Sequence, residues 1–289
     1  MSNTSTWADS SWTSDGLRLH YRDYAGPKNR PALLCMPGLT RNIRDFEPLI
    51  AHLAGDWRII AVEFRGRGES EYSKAPASYA PPVYAQDVAL LIEELKLRKI
   101  VTIGTSLGGL VSMMLAAMLP DRIVGAVLND IGPVVEQRGL DRIKSYVGKA
   151  QAWPTWVHAA RAAAEQNADV YPGYDLENWI AMAKRLNTLT PQGRVVPDYD
   201  PRIAEPIRAE QTNAVPPDLW PLYEAFGEAQ VLVLRGELSD ILSAETARAM
   251  GRRLPNAKVR TVPDVGHAPV LDEPASVRAI QGLLKAVMA

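Results

Sequence analysis

At 289 residues, 47% hydrophobic and 22% charged, the chain can bury a sizeable core and has the make-up of an ordinary soluble globular protein. A formal net charge of −1, with no block of like charge, supports neither nucleic-acid binding nor electrostatic attraction to a membrane. The single cysteine, Cys35, excludes an intramolecular disulfide and lies in an apolar run where a buried thiol is expected. Residues 1–10 lack a basic stretch followed by an apolar core, and no run is long enough to span a bilayer, so a cytoplasmic protein is expected.

Two β-like segments come first, at 7–13 and 17–24, separated by Ser14-Asp15-Gly16, a good hairpin turn. In the second, Leu17, Leu19 and Tyr21 alternate with Arg18, His20 and Arg22, as in a strand with one wet face. Residues 32–36 read as a fully buried strand ended by Pro37-Gly38, followed by a helix at 42–53, a strand at 57–62 and a helix at 84–95 with Leu90, Leu91 and Leu95 on one side. A short apolar run at 100–103 then meets Gly104-Thr-Ser-Leu-Gly108, and an Ala/Met/Leu-rich helix runs on to Leu119. A strand at 123–128 continues the pattern. It resumes with a strand at 231–234, a helix at 243–253, a strand at 258–262 and a final helix from Ala275. Such alternation implies parallel strands joined by right-handed crossovers, helices on both faces of one sheet, and ligands at the carboxyl ends of the strands.

Between residues 133 and 221 the alternation breaks. The segment carries helical stretches (140–152, 156–164, 176–186), a polar link at Pro197-Asp-Tyr-Asp-Pro201, and four of the seven tryptophans, Trp153, Trp156, Trp179 and Trp220. It reads as a helical cap inserted into a core made of residues 1–132 and 222–289. Most of its tryptophans should pack among themselves, with Trp153, Trp179 and Trp220 as candidates to face a substrate.

Gly104-Thr-Ser-Leu-Gly108 places one hydroxyl at the apex of a strand–turn–helix. Glycine at minus two and plus two is required where a β-carbon would collide with neighbouring backbone. A serine hydroxyl is a weak nucleophile and needs a base, itself oriented by a third group. Of four histidines, His20 sits on a strand, His52 in a helix and His158 in the cap, whereas His267 follows a late strand in Pro263-Asp-Val-Gly-His-Ala, on the same rim as Ser106. Asp240, after the strand at 231–234, is the first choice for the orienting acid, and Asp130, after the strand at 123–128, is the alternative. Glu237 lies closer to its strand, and Asp264 precedes the histidine too closely to oppose it. The amides of Leu39 and Leu107 are the candidate oxyanion donors. Arg41, beside Leu39, is a candidate contact for an anionic substrate, although an ion pair with Asp45 or Glu63 is the stronger expectation, and Arg65 and Arg67 should brace the loop they occupy.

On Pro37-Gly38-Leu39, Glu63-Phe-Arg-Gly-Arg-Gly-Glu-Ser70, Gly104-Thr-Ser-Leu-Gly108, Asp240 and Gly266-His267, the whole chain resembles the α/β-hydrolases of the branch with a cap between the sixth and seventh core strands. Pro37 stands where that family usually has His, Glu63 where it usually has Asp, and the loop before Asp240 is one residue longer than the commonest form. The resemblance implies an α/β-hydrolase fold, a mostly parallel eight-stranded sheet with helices on both faces and an inserted helical cap.

The chemistry expected is cleavage of carboxylic esters of small molecules through an acyl-enzyme, with no metal or organic cofactor and no nucleic-acid or membrane partner. Alternatives on the same three side chains are lactone opening and carbon–carbon hydrolysis of ring-cleavage products. A more distant alternative is a non-catalytic, hydrolase-like ligand receptor. Serine at the nucleophile position argues against dehalogenase or epoxide-hydrolase chemistry, which uses aspartate there. A monomer or a homodimer fits the chain equally well.

Overall fold

The computed structural model describes residues 7–149, 151–209 and 217–289. Residues 1–6 of the N-terminal stretch, residue 150 of the expected helix 140–152, and residues 210–216 of the expected cap lie outside the described residues.

A hairpin of β1 (Trp7–Ser14) and β2 (Leu17–Tyr24) is followed by β3 (Ala32–Met36), α1 (Glu47–Leu53), β4 (Ile59–Val62), α2 (Pro81–Glu94), β5 (Ile100–Thr105), α3 (Leu107–Met118) and β6 (Ile123–Asn129). There the alternation stops. The chain runs through α4 (Gln137–Tyr146), α5 (Trp156–Asn167), α6 (Leu176–Leu186), a ribbon of β7 (Asn187–Leu189) and β8 (Val195–Pro197), and α7 (Ala204–Ala209). After α8 (Trp220–Glu224) it resumes with β9 (Gln230–Gly236), α9 (Ala244–Arg253), β10 (Ala257–Val262) and α10 (Pro274–Val287).

Eight strands form one sheet in the order β1-β2-β4-β3-β5-β6-β9-β10. The β1–β2 and β2–β4 pairs are antiparallel and the others parallel, as the alternation requires. Strand parity sorts the core into two layers. Leu34 and Met36 of β3 pack with α2, α3 and α9, whereas Leu33 and Cys35 face α1, α10 and the apolar faces of α5 and α6. The inserted helices thus divide between the layers, α5 and α6 packing in the second and α4 and α7 in the first. Among the described residues no helix is long and apolar enough to cross a membrane.

Three local readings change. His20, expected on a wet face, is 6% exposed, because β1 covers that edge and Glu63 and Asp9 hold the two ring nitrogens at 2.9 and 3.0 Å. Leu90 is half exposed rather than packed beside Leu91. The helix expected at 42–53 divides into a 3-10 turn, Ile43–Phe46, capped by the Asn42 side chain, and α1, which has Pro48 in its first turn. Proline suits a helix start and cannot donate within a continuous helix, which accounts for the break.

Candidate active site

Ser106 leaves the end of β5 with φ 51° and ψ −115°, a conformation rare for a residue with a side chain, and α3 starts at the next residue. The flanking glycines make this turn possible. A β-carbon at Gly104 would lie 2.3 Å from the Gly108 carbonyl oxygen, and one at Gly108 would lie 2.0 Å from that of Met36 in β3. Strand, turn and helix are therefore packed backbone to backbone, with the serine side chain projecting from the apex.

His267 meets it from the loop after β10. Its Nε2 lies 2.9 Å from Ser106 Oγ, and its Nδ1 lies 2.8 Å from Asp130 Oδ2. With a carboxylate on Nδ1, the proton belongs there, which leaves Nε2 to accept from the serine hydroxyl. The ordering carboxylate is Asp130, not the expected Asp240. Asp130 follows β6, the strand paired directly with β5, and its own φ of 55° turns the chain so that the fully buried carboxylate meets the imidazole. Oδ1 accepts from the Gly236 amide at 2.8 Å, and Oδ2 accepts from Ser239 Oγ at 2.6 Å.

Asp240 is held elsewhere. The residues after β9 are zipped onto the histidine loop, Glu237 N–H donating to Val262 O and Leu238 N–H to Val265 O, so the longer loop delivers Asp240 toward α4. There the Arg142 fork of α4 grips it, Nε to Oδ2 at 2.6 Å and Nη2 to Oδ1 at 2.8 Å. Partial burial works to raise the Asp240 pKa, but the hydrogen bonds and charge of Arg142 outweigh it and hold the carboxyl below its usual value.

Among the described residues the amides of Leu39 and Leu107 donate to no protein acceptor, which leaves both N–H groups for an incoming oxygen near Ser106. Arg67, fully buried, fixes the first of these loops. Its Nε and Nη2 donate to the Leu39 carbonyl at 2.9 and 2.7 Å, while Nη1 holds the Arg65 carbonyl and the Tyr84 hydroxyl. Arg65 is spent on the buried Asp87 carboxylate at 2.8 and 2.7 Å.

A cavity of ≈ 150 Å³ opens above Ser106 and His267 between the sheet and the inserted helices. Arg41 and Trp153 line it, as expected. Trp179 and Trp220 do not. Trp179 is buried edge-on against Tyr171 and Tyr174, with ring centroids 6.1 and 5.0 Å away, and Trp220, on the other core layer, lies under the Arg253 guanidinium and meets Tyr223 edge-on. Both complete packed clusters that their own helices need. The inserted segment's contribution to the wall includes Ala159, Ala162 and Ala163 of α5, the tyrosines Tyr146, Tyr171 and Tyr199, and Arg142 and Arg185. Arg185 gave no sequence signal beyond a basic residue in the last turn of a helix.

The profile of the alpha/beta hydrolase fold matches residues 31–274, and the chain belongs to that family, as a hydrolase. It is 34% identical over 268 residues to the 3-hydroxybutyrate-oligomer hydrolase of Cupriavidus necator, with 90% of each chain covered. The 2-(acetamidomethylene)succinate hydrolase of Mesorhizobium japonicum is 30% identical over 237 residues, 82% of this chain and 81% of that one. Among solved structures, an alpha/beta hydrolase from Novosphingobium aromaticivorans matches with a TM-score of 0.92 and 52% identity, covering 96% of this chain and 98% of its own.

Proposed function

We propose that this chain is a serine hydrolase that cleaves carboxylic esters of small molecules through an acyl-enzyme. The observation that carries this reading is His267, hydrogen-bonded to Ser106 on one ring nitrogen and to Asp130 on the other. His267 takes the Ser106 proton as Oγ attacks the ester carbonyl, and Asp130 steadies the imidazolium that forms. The Leu39 and Leu107 amides receive the developing oxyanion. Collapse of the tetrahedral intermediate returns the proton from His267 to the alcohol. Water, activated by the same imidazole, then releases the acid and restores Ser106. The relative named for 3-hydroxybutyrate oligomers supports an ester substrate, since hydroxy-acid oligomers are joined by ester bonds.

A second reading is hydrolysis of another bond on the same side chains, lactones and carbon–carbon bonds included. It is favoured by the relative named for 2-(acetamidomethylene)succinate, a substrate whose name specifies no ester. Steady-state assays on p-nitrophenyl butyrate, butyrolactone and a vinylogous diketone separate the two. The ester should be the best substrate, and Ser106→Ala should lose about 10³-fold or more in kcat. Full activity in Ser106→Ala would sink the mechanism, and preference for the diketone would move the assignment to the second reading.

A further inference from the structure

The charged side chains lining the cavity, apart from His267, are Arg41, Asp45, Arg142 and Arg185. Two of the three guanidiniums are engaged. Arg142 spends Nε and Nη2 on Asp240, and Arg41 spends the same two nitrogens on Asp45. Arg185 differs. Among the described residues its guanidinium donates no hydrogen bond, and its nearest carboxylate oxygen, Asp45 Oδ1, stands 4.0 Å from Nε. Its side chain is nevertheless only 16% exposed. Its position is fixed from behind, because its main-chain carbonyl, at the end of α6, accepts from Asn42 Nδ2 and from Nε and Nη2 of Arg44 at 3.0–3.2 Å. Its donors are thus left for an acceptor that enters the cavity, and its planar fork matches a carboxylate.

Charge and placement point the same way. Three arginines against Asp45 and Asp240 leave one positive charge beside the cavity, enough to balance one monoanion. Arg41 also lies close to the reacting atoms. A β-carbon built on Gly38 would be 3.2 Å from Arg41 Cγ and 3.8 Å from Ser106 Cβ, so the Arg41 stem and the nucleophile flank the same glycine.

We infer that Arg185, assisted by the unused face of Arg41, forms a carboxylate subsite, and that the enzyme takes small esters carrying a free carboxylate. This rests on the reading of Ser106 as an ester-cleaving nucleophile. The subsite gives the charge in this mixed cavity a role: the alanines of α5 with Ile143 and Leu271 offer apolar wall for a short chain, and the fork fixes its end.

The test compares isosteric pairs. One pair is mono-p-nitrophenyl adipate and its ω-amide, with the carboxylate on the acyl side. The other is 3-(butyryloxy)butyrate and its amide, with the carboxylate on the alcohol side. In at least one pair kcat/KM should favour the acid about ten- to hundredfold, the range of a charge-assisted hydrogen bond. Which pair responds assigns the subsite to the acyl or the alcohol half. Arg185→Met should abolish the preference, whereas Lys184→Met, which removes an equal charge from an exposed neighbouring position, should keep it. If Arg185→Met does not fold, Arg185→Lys is read in its place, and the preference must still fall because the fork is gone. No preference in either pair, or a preference that survives loss of the Arg185 fork, overturns the subsite. Calorimetric titration of Ser106→Ala protein with butyrate and butyramide separates the two ideas. Butyrate binding that depends on Arg185, in an enzyme that leaves p-nitrophenyl butyrate and both acid esters intact, upholds the subsite and removes the esterase reading. Ser106-dependent ester hydrolysis without butyrate binding does the reverse.

Discussion

Asp130 and Asp240 sit after neighbouring parallel strands, β6 and β9, at the same edge of the same sheet, yet they do opposite things. Asp130 is fully buried and accepts from the Gly236 amide, the Ser239 hydroxyl and His267, all donors of the core. Asp240 remains 16% exposed and is matched by one guanidinium carried by α4. The first is a carboxylate whose donors orient it toward an imidazole, and the second is a tether between core and insertion. A carboxylate at a strand's carboxyl end is thus not enough to identify an acid. The deciding factor is which side of the loop the histidine segment packs against.

Single substitutions put that contrast at risk. The largest effect belongs to Asp130→Asn, which keeps the shape but removes the charge that stabilises the imidazolium and favours the wrong tautomer. Its kcat on p-nitrophenyl butyrate should fall by about 10³–10⁴. Ser239→Ala is intermediate. It deletes one donor to Asp130 and the oxygen that accepts from the Ile241 and Leu242 amides, and it should lower kcat by about three- to tenfold, in line with a single hydrogen bond. Asp240→Asn should change kcat least, within about threefold, while lowering Tm by about 2–4 °C if it removes about 1 kcal/mol. A larger fall in kcat for Asp240→Asn than for Asp130→Asn would reverse the two roles.

The Asp240 tether also has a pH signature. Its folded-state pKa is held below the unfolded value of about 3.9, so its stabilisation is fully present above that value and is lost as pH falls through the folded value. The Tm gap between wild type and Asp240→Asn should therefore be constant from neutral pH to about pH 5 and close only below pH 4.

Much of the architecture was legible in the sequence. Strand–helix alternation pointed to the sheet, and Gly104 and Gly108 marked the turn because backbone contacts of 2.3 and 2.0 Å leave no room for a β-carbon. Gly266-His267 after a late strand marked the imidazole. The acid was not legible, because loop length says how far Asp240 can reach but not which way the loop turns. Gly236 held a clue. A β-carbon there would meet the Gly266 and Val265 carbonyl oxygens at 2.4 and 2.6 Å, so the histidine loop lies directly over the end of β9 and displaces the residues that leave that strand. Two of the three candidate tryptophans misdirected the reading of the insertion. Trp179 is consumed by its tyrosine neighbours and Trp220 by Arg253 and Tyr223, whereas Trp153, three tyrosines and the alanines of α5 line the cavity.

The segment around His267 is stitched to the inserted helices on both sides. The Gly266 amide donates to the Val170 carbonyl at 2.7 Å, and the Tyr171 hydroxyl donates to the Ala268 carbonyl at 2.8 Å. Whatever shifts residues 170 and 171 shifts the imidazole with them. The loop between α5 and α6 and the segment that carries the imidazole are in that sense one mechanical part, so the cavity wall and the hydrogen bond to Ser106 rest on the same supports.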